Sequence, residues 1–429
     1  MLPNGIENAF LVIFDQITNK TYFYSLKSDV RYRVLNIQLG VDRYMDRKDL
    51  KHKEKAQLKL DLFGLDPLID QNYSHSFEIY DTVGKFEYDK KKKYRLSVSA
   101  EDTEFVRYTE YDGINIRVTV IDANIERLMP DGTKKRVFVR PGAREEIIED
   151  VLRKLATEKR AEAYEITSGD TKGQQLVGLE FSRYEVYEEL KRINNGKVQY
   201  SYAEIHEAIL VLNRAHLQFD AEDGSISFSA PFLPVLAFAE KATKGDTKSF
   251  VCFHPMVTDI IMTANYRRYN YKKALSFKGQ YTRLIYKRLC NRWVQAGPGN
   301  PYKVKLSTLV AAMKAPYKNL YQDKALLQDV LEELKKEEVI ESYEATPKKL
   351  KGKIIDWVFE LRSTNKFAKQ QAASNKTANR IAEKTQQQNA GKKNYRLETN
   401  AAKSSNDLHL ENEPTKDDKS EQDEIPFDA

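Results

Sequence analysis

The chain has 429 residues with 70 Lys or Arg and 63 Asp or Glu, so its formal net charge is +7 and its length predicts two or three domains. A mean hydropathy of −0.64, with no apolar run near the ~20 residues that a bilayer requires, excludes a membrane-spanning helix. Two cysteines are too few for a disulfide framework or a cysteine-rich zinc site, which favours a reducing cytoplasm.

The N-terminal part of the sequence predicts strands and one helix. Apolar runs on both sides of Thr18-Asn19-Lys20 predict a hairpin from Phe10 to Tyr24. More strands are expected from Tyr94 to Val120, and a helix is expected from Arg144 to Ala156. These patterns do not define a fold for residues 1–160.

A short peptide, Gln57 to Phe63, lies between a polar run and a loop with Gly64 and Pro67. Its end resembles the peptide with which bacterial replication proteins dock on the sliding clamp, although Lys59 stands where that peptide has Gln. The resemblance implies a clamp-binding role for four residues: Leu60, Asp61, Leu62 and Phe63. A small buried strand or helix is the alternative interpretation of the same residues.

Two capping boxes predict consecutive helices in the middle of the chain. Ser182 with Glu185, and Ser201 with Glu204, have the spacing at which a hydroxyl and a carboxylate satisfy backbone amides at a helix start. Helices are therefore expected from Arg183 to Ile193 and from Tyr202 to Ala215. Alternating residues around Asp223-Gly224 predict a hairpin after them, from His216 to Phe228.

Charge is segregated along the chain. No Asp or Glu occurs from Ile260 to Gln322, whereas thirteen Lys and Arg do, so the rest of the chain carries a net charge of −6. Tyrosines are interspersed with these cations, a composition that favours contact with the phosphates of nucleic acid. The alternative is a basic face that only meets solvent.

The same region predicts a second set of helices and a hairpin. Its elements are expected as a helix from Phe277 to Gln295, a short strand and helix from Val304 to Met313 with Ser307 as N-cap, a helix from Gln322 to Glu337, and strands at Val339–Tyr343 and Ile354–Leu361. Helix, helix and hairpin in this order, with the cationic loop Pro347–Lys353 between the strands, predict a winged helix that binds duplex DNA.

Base recognition is expected near Tyr317 to Lys324, because acidic residues occupy the later part of that helix. The basic helix from Phe277 to Trp293 is the alternative groove element. The candidate DNA-binding residues are Arg267, Arg268, Lys272, Lys273, Lys278, Arg283, Lys287, Arg288, Arg292, Lys314, Lys318, Asn319, Lys324, Lys348, Lys349 and Lys351.

With these motifs, the sequence resembles the replication initiators of theta-replicating plasmids, specifically the IncP/TrfA-like group. The resemblance covers about Val118 to Arg362 and is most specific at Phe253–Thr258 and Tyr266–Tyr271. It implies a bacterial, plasmid-associated protein with two winged helices that binds iterons, helps to open AT-rich origin DNA and controls plasmid copy number. The partners that it implies are double-stranded origin DNA, single-stranded AT-rich DNA, the host sliding clamp, the replicative helicase or its loader, and a second copy of the chain.

No catalytic motif is recognisable. Gly169 to Gly173 lacks the spacing of a phosphate-binding loop, and the six histidines are scattered. His254 near Cys252 is interpreted as a packed core residue and not a metal ligand. We expect a DNA-binding protein without a cofactor; a winged-helix transcriptional repressor is the alternative, and a nuclease or relaxase a more distant one.

The expected fold class is α+β, with tandem winged helices, a partly β N-terminal region and a disordered C-terminal tail. The tail is expected from residue 366 because few large apolar residues follow Phe367. The expected segments are an N-terminal segment (1–56), the clamp peptide (57–63), a mixed β/α region (64–160), a first winged helix (161–252), a second winged helix (253–365) and the tail (366–429).

Overall fold

A computed structural model of the chain describes residues 10–15, 20–25, 50–52, 72–87, 94–95, 100–111, 113–129, 131–167, 172–224, 227–238, 248–263, 266–314, 319–380 and 383. The chain divides into two compact units, Met1–Asn379 and Arg380–Ala429, and the elements below belong to the first. Within the described ranges, no helix combines the length and the apolar character needed to cross a bilayer.

The fold is α+β. Its strands are β1 (Phe10–Asp15), β2 (Lys20–Ser25), β3 (Leu50–His52), β4 (Tyr73–Ser76), β5 (Tyr94–Arg95), β6 (Glu104–Tyr111), β7 (Ile114–Ile121), β8 (Ala123–Leu128), β9 (Lys134–Val139), β10 (Ala161–Ile166), β11 (Gln175–Phe181), β12 (His216–Ala221), β13 (Ser227–Pro231), β14 (Val235–Ala237), β15 (Ser249–Cys252), β16 (Arg267–Asn270), β17 (Tyr302–Lys305), β18 (Ile340–Leu350) and β19 (Lys353–Ser363). Its helices are α1 (Glu78–Asp81), α2 (Ala143–Leu155), α3 (Arg183–Ile193), α4 (Tyr202–Arg214), α5 (Pro255–Thr263), α6 (Tyr271–Ser276), α7 (Gln280–Arg292), α8 (Leu306–Met313), α9 (Leu320–Lys336) and α10 (365–380).

Local signals in the sequence predicted several of these elements correctly. β1 and β2 form the expected antiparallel hairpin, and β6 and β7 pair around Gly113. Both capping boxes are present: the Glu185 amide donates to Ser182 Oγ at 3.1 Å, and the Glu204 amide donates to Ser201 Oγ at 3.2 Å. Gly224 has φ +73° in the turn between β12 and β13, a conformation that favours glycine.

The first winged helix uses more of the chain than the sequence suggested. Its hairpin, β12 and β13, continues into β7 and β6, so four strands form one antiparallel sheet in the order β13-β12-β7-β6. The boundary expected at residue 160 therefore separates a hairpin from the strands with which it pairs. A second sheet has five strands in the order β14-β15-β11-β10-β3, so β11 pairs with β15 on one side and with β10 on the other.

The His254 side chain is packed in the core of the protein, as predicted from the sequence. Its ring is fully buried beside the rings of Tyr80, Phe219 and Phe228, at centroid distances of 5.4, 6.2 and 5.1 Å. Burial, together with the nearby Lys85 ammonium, lowers the pKa of His254 to about 3. The histidine is therefore neutral, and its Nδ1 accepts from the Met256 amide at 3.2 Å.

The second winged helix has the predicted order of elements. α7 is followed by β17, α8 and α9, and then by the long hairpin of β18 and β19. The sheet order is β17-β19-β18, so the strand before the two central helices pairs with the last strand of the hairpin. Apolar residues at helical spacing on α9, including Leu327, Leu331 and Leu334, are fully buried in the core of this half.

An N-terminal segment, residues 72–87, is part of this second half. β4 pairs antiparallel with β16, and the Gly84 amide donates to the Ala312 carbonyl of α8 at 2.6 Å. A Cβ on Gly84 would lie 2.5 Å from the Met313 carbonyl oxygen, so the close approach requires glycine. The expected division between residues 64–160 and 253–365 therefore separates segments that form one packed body.

The segment that follows β19 differs from the expected disordered tail. Residues 365–380 are helical, and Phe367 is 2% exposed, with its ring 6.2 Å from that of Tyr286 and 5.9 Å from that of Trp293. Polar contacts add to this packing, because Asn375 Nδ2 donates to the Val294 carbonyl at 2.7 Å. Residues 384–429 lie outside the described residues.

Candidate nucleic-acid interface

The start of α9 contributes exposed uncharged side chains to the candidate interface. Asn319 precedes the helix as its N-cap, and its Oδ1 accepts from the Tyr321 amide at 2.9 Å. The side chains of Tyr321, Gln322 and Ala325 are exposed beyond it. Because Asp329 and Glu332 are exposed further along the same helix, only its start can approach a phosphate backbone. Tyr321 and Gln322 belong to the base-reading segment expected from Tyr317 to Lys324, and residues 317 and 318 of that segment lie outside the described residues.

Buried polar contacts fix the orientation of α8 and α9. Lys314, a predicted DNA contact, forms an ion pair with Asp323 at 3.2 Å, and both side chains are buried. Ser307 was expected to be the N-cap of α8, but that position belongs to Lys305. Instead, Ser307 Oγ donates to Asp356 Oδ2 at 2.6 Å, and its amide donates to Asp356 Oδ1 at 3.2 Å. The Asp356 carboxylate of β19 thus accepts a hydrogen bond from a backbone amide at the start of α8.

The wing is the hairpin of β18 and β19, and it carries several exposed cations. Three of the candidate DNA-binding residues, Lys348, Lys349 and Lys351, are exposed, and Lys353 is exposed beside them. The turn is made by Lys351 and Gly352, both at positive φ (48° and 79°). No acidic residue occurs between positions 345 and 355. These lysines are suited to neutralise phosphates.

Trp357 of β19 connects the wing to the start of α9. The Lys324 ammonium lies over its indole ring, 3.5 Å from the centroid, and the Tyr321 ring is 6.5 Å away in an edge-to-face arrangement. Trp357 is 9% exposed. These contacts of Trp357 therefore position the wing relative to the start of α9. Trp357 was not among the predicted site residues, because a tryptophan side chain has no charge to bind phosphate and its contact with Lys324 depends on the tertiary fold.

The basic helix α7 faces the interior, contrary to the sequence expectation. Arg283, Lys287 and Arg288 were predicted to bind DNA, but they are only 5%, 4% and 1% exposed. Arg283 Nη2 lies 3.1 Å from Glu146 Oε2, and Lys287 Nζ lies 2.7 Å from Asp150 Oδ2. The α2 carboxylates neutralise Arg283 and Lys287, and Arg288 is buried as well, so α7 is not the groove element in this structure.

These contacts belong to a larger buried ion network of four cations and four carboxylates: Lys85, Arg153, Arg283 and Lys287 with Asp81, Glu146, Glu149 and Asp150. Burial would raise the pKa of Asp150, but the Lys287 ammonium and the Arg153 guanidinium outweigh it and hold the pKa below its ordinary value. Burial likewise would lower the pKa of Lys287, but Asp150 raises it. Both groups are therefore charged at neutral pH.

The other candidate DNA-binding cations between residues 260 and 322 differ in their contacts and in their exposure. Arg292 Nε pairs with Glu78 at 3.0 Å, and the Arg268 guanidinium lies 5.2 Å from the centre of the Tyr73 ring. Arg267 Nη1 donates to Asn375 of α10, and Lys273 Nζ donates to the Glu337 carbonyl. Lys272 is half-buried, whereas Lys278 is exposed. Most of the acid-free stretch is therefore engaged in holding the fold together.

One acidic residue of α9 also has a structural role. Glu333 Oε1 accepts from the Lys278 amide at 2.7 Å, and Glu333 Oε2 accepts from the Gly279 amide at 3.2 Å. These amides lie at the start of α7, which lacks a side-chain cap of its own. Two further predictions, Lys318 and the clamp peptide with Leu60, Asp61, Leu62 and Phe63, lie outside the described residues.

Chemical groups for catalysis or metal binding are sparse. Among the described residues, no group of three or more His, Cys, Asp or Glu side chains could hold a metal ion. Cys252 and Cys290 are both buried and unpaired with each other. Burial raises the pKa of the Cys290 thiol to about 12, so it is protonated at neutral pH.

No protein-family model matches the sequence, and no curated protein matches it. Two crystal structures of RctB domains 2 and 3 are similar to this chain at 10% identity and a TM-score of 0.37; one, a selenomethionine derivative, covers 67% of this chain and 96% of its own, and the other 69% and 99%. A crystal structure of the Pi initiator protein in complex with iteron DNA is similar at 12% identity and a TM-score of 0.33, covering 44% of this chain and 82% of its own.

Proposed function

We propose that this chain is a non-enzymatic replication initiator that binds iterons, the direct repeats of an origin, through its second winged helix. The observation that carries the proposal is the pairing of two exposed surfaces. One comprises the exposed uncharged side chains Asn319, Tyr321 and Gln322 at the start of α9, and the other is the lysine-rich wing. Amide side chains can read base edges in the major groove while lysines hold the flanking phosphates.

The choice of an initiator among DNA-binding proteins rests on the sequence resemblance to IncP/TrfA-like proteins. The segments Phe253–Thr258 and Tyr266–Tyr271, which carry that resemblance, include the buried residues His254, Tyr269 and Tyr271. They support a shared core and not a shared set of DNA contacts. Opening of AT-rich DNA, binding of its single strand, dimerisation, copy control and recruitment of the helicase or its loader are parts of the proposal.

The proposal predicts a defined pattern of binding to the DNA that adjoins the gene. Purified protein should form one retarded complex for each direct repeat in a gel-shift assay, and footprints should cover the repeats beside an AT-rich tract. A single footprint over an inverted repeat at the promoter would instead identify a repressor. Metal-dependent nicking of the same fragment would identify a nuclease or relaxase.

Variants of α9 test the assigned surface. Replacing Gln322 by Ala should weaken binding to the repeats by about 1–3 kcal/mol without changing the dependence on salt, because a base contact carries no phosphate charge. Lys335→Ala is the matched control, since this exposed residue lies near the opposite end of the helix. Equal loss in both variants would refute the orientation proposed for α9.

The clamp peptide provides a separate test of the replication role. The protein should bind a purified bacterial sliding clamp, and replacing Leu62 and Phe63 together by Ala should abolish that binding, because apolar anchors dominate such short-peptide contacts. Duplex binding should be unchanged in the same variant. Clamp binding that survives the double replacement would remove this part of the proposal.

A further inference from the structure

Two large apolar side chains are exposed at the tip of the wing. Leu350 is 60% exposed and Ile355 is 46% exposed, whereas most large apolar side chains of the described residues are buried. Both lie in the wing tip, which we define as residues 348–355. Scattered exposed apolar residues are common on proteins, so their arrangement with the neighbouring charges decides whether they have a role.

The backbone of the hairpin displaces one of these residues from its regular position. Lys348 pairs with Asp356, but the next residue, Lys349, pairs with Ile354, so Ile355 has no opposite partner. The extra residue is a β-bulge, which locally increases strand twist and redirects side chains. Ile355 is thereby released from the alternation that buries Trp357, Phe359 and Leu361 along β19.

Lysines flank the two apolar residues in the sequence. Lys348 and Lys349 precede Leu350, and Lys351 and Lys353 follow it, with no acidic residue from 345 to 355. A basic tip of this kind would repel a basic partner and meet an anionic one. Its compact form, with aliphatic residues between the cations, suits a narrow groove lined on both sides by phosphates.

The length of the wing is also suited to a narrow groove lined by phosphates. Trp357, which contacts the start of α9, pairs across the hairpin with Pro347, and the turn at Lys351-Gly352 lies four residues beyond Pro347. At ~3.3 Å per residue, the tip extends about 13 Å past that contact. With the α9 start in the major groove, this length crosses one phosphate strand. The minor groove, about 6 Å wide, then lies at the tip and can admit side chains although it cannot admit the whole hairpin.

We propose that Leu350 and Ile355 enter the minor groove of duplex DNA as an apolar wedge, while the adjacent lysines contact the phosphates on its two sides. This inference rests on the proposed function, because it requires that the second winged helix bind duplex DNA. Aliphatic side chains inserted at base steps partly unstack them and bend the duplex. The guanine amino group projects into the minor groove and obstructs such an insertion.

Inosine substitution tests the wedge directly. Inosine lacks the minor-groove amino group of guanine and keeps the major-groove atoms O6 and N7. The full-length protein is titrated with a fluorescent mixed-sequence duplex and with a copy in which inosine replaces guanine. We expect the inosine duplex to bind about fivefold more tightly, the lower end of one good groove contact. Replacing Leu350 and Ile355 by Ser should abolish this preference.

Two control variants separate the wedge from charge and from folding. Lys348→Ala with Lys349→Ala should keep the preference for inosine but lower the salt slope by roughly 0.9 per lysine. Leu128→Ser changes a side chain that is 66% exposed on another hairpin and should alter neither quantity. Because Leu350 is exposed, the single variant Leu350→Ser should keep the wild-type melting temperature and still reduce the preference.

The outcomes are distinguishable. Equal affinity of the wild-type protein for the two duplexes, or a preference that persists in the Leu350 and Ile355 double variant, would overturn the wedge and leave the proposed function intact. Absence of binding to either duplex at low salt would overturn both proposals. Preference in the wild-type protein, its loss in the Ser variants and its retention in the Lys variants would establish the wedge.

Discussion

Replacing Lys287 by Ala should destabilise the protein without removing a DNA contact. Its ammonium lies 2.7 Å from Asp150 Oδ2 and its side chain is 5% exposed, so removal leaves a buried carboxylate that has lost its nearest lysine. Breaking a buried ion pair from one side costs about 3–5 kcal/mol. Urea unfolding followed by the fluorescence of the buried Trp293 measures this loss. In contrast, Lys349→Ala should change the unfolding free energy by less than about 0.5 kcal/mol.

The pH dependence of the Lys287 variant gives a second measurement. Since Lys287 and Arg153 keep the pKa of Asp150 below its ordinary value despite burial, this carboxylate stabilises the fold above pH ~4, and the stabilisation is lost as pH falls through the lower folded pKa. The difference in unfolding free energy between wild type and Lys287→Ala should therefore be largest at neutral pH. It should decrease as acid protonates Asp150.

The salt dependence of duplex binding decides between burial and DNA contact for α7. Folded Lys287→Ala should keep the wild-type slope of log affinity against log salt, whereas Lys349→Ala should reduce it by about 0.9. A Lys287 variant with wild-type stability and a reduced slope would refute the assignment of this residue to the buried ion network. A double-mutant cycle with Asp150→Asn should give a coupling energy of about 0.5–3 kcal/mol.

Three further predictions concern stability and reactivity. Ending the chain after residue 383 should leave the unfolding free energy and duplex binding nearly unchanged, whereas ending it after residue 364 removes buried Phe367 and should destabilise the protein by at least about 3 kcal/mol in urea unfolding. Ser201→Ala should cost about 1 kcal/mol in the same assay, because the Glu204 amide loses its cap. Cys290, with its pKa raised by burial to about 12, should react with iodoacetamide at pH 8 only after unfolding, as mass spectrometry can measure.

Elements with local signals were predictable from the sequence. The capping boxes at Ser182 and Ser201 give the helix starts because hydroxyl and carboxylate act on amides three residues away. The hairpin at Gly224 follows from a turn that needs positive φ. The order of elements in the second winged helix was predictable for the same reason, since each helix and strand carries its own apolar periodicity.

The orientation of the basic helix was not predictable in this way. The carboxylates that pair with Arg283 and Lys287 lie 137 residues earlier in the chain, so cations in an acid-free stretch of sequence can still be neutralised in the fold. α10 was missed because Phe367 is nearly alone as a large apolar anchor, and polar contacts such as Asn375 to Val294 complete the packing. The predicted exposure of α7 and the predicted disorder of residues 366–380 were both wrong because each segment depends on contacts with residues distant in the sequence.

The pairing of β4 with β16 limits how this protein can be recombined. Residues 73–76 supply a strand that pairs with residues 267–270, almost 200 residues later in the chain, and Gly84 fits against α8. A gene fragment that encodes only residues 253–380 would leave the β16 edge unpaired and the α8 surface uncovered. Exchange of DNA specificity between such proteins should therefore succeed through short replacements in α9 and the wing, and transfer of the whole C-terminal half should yield an insoluble product.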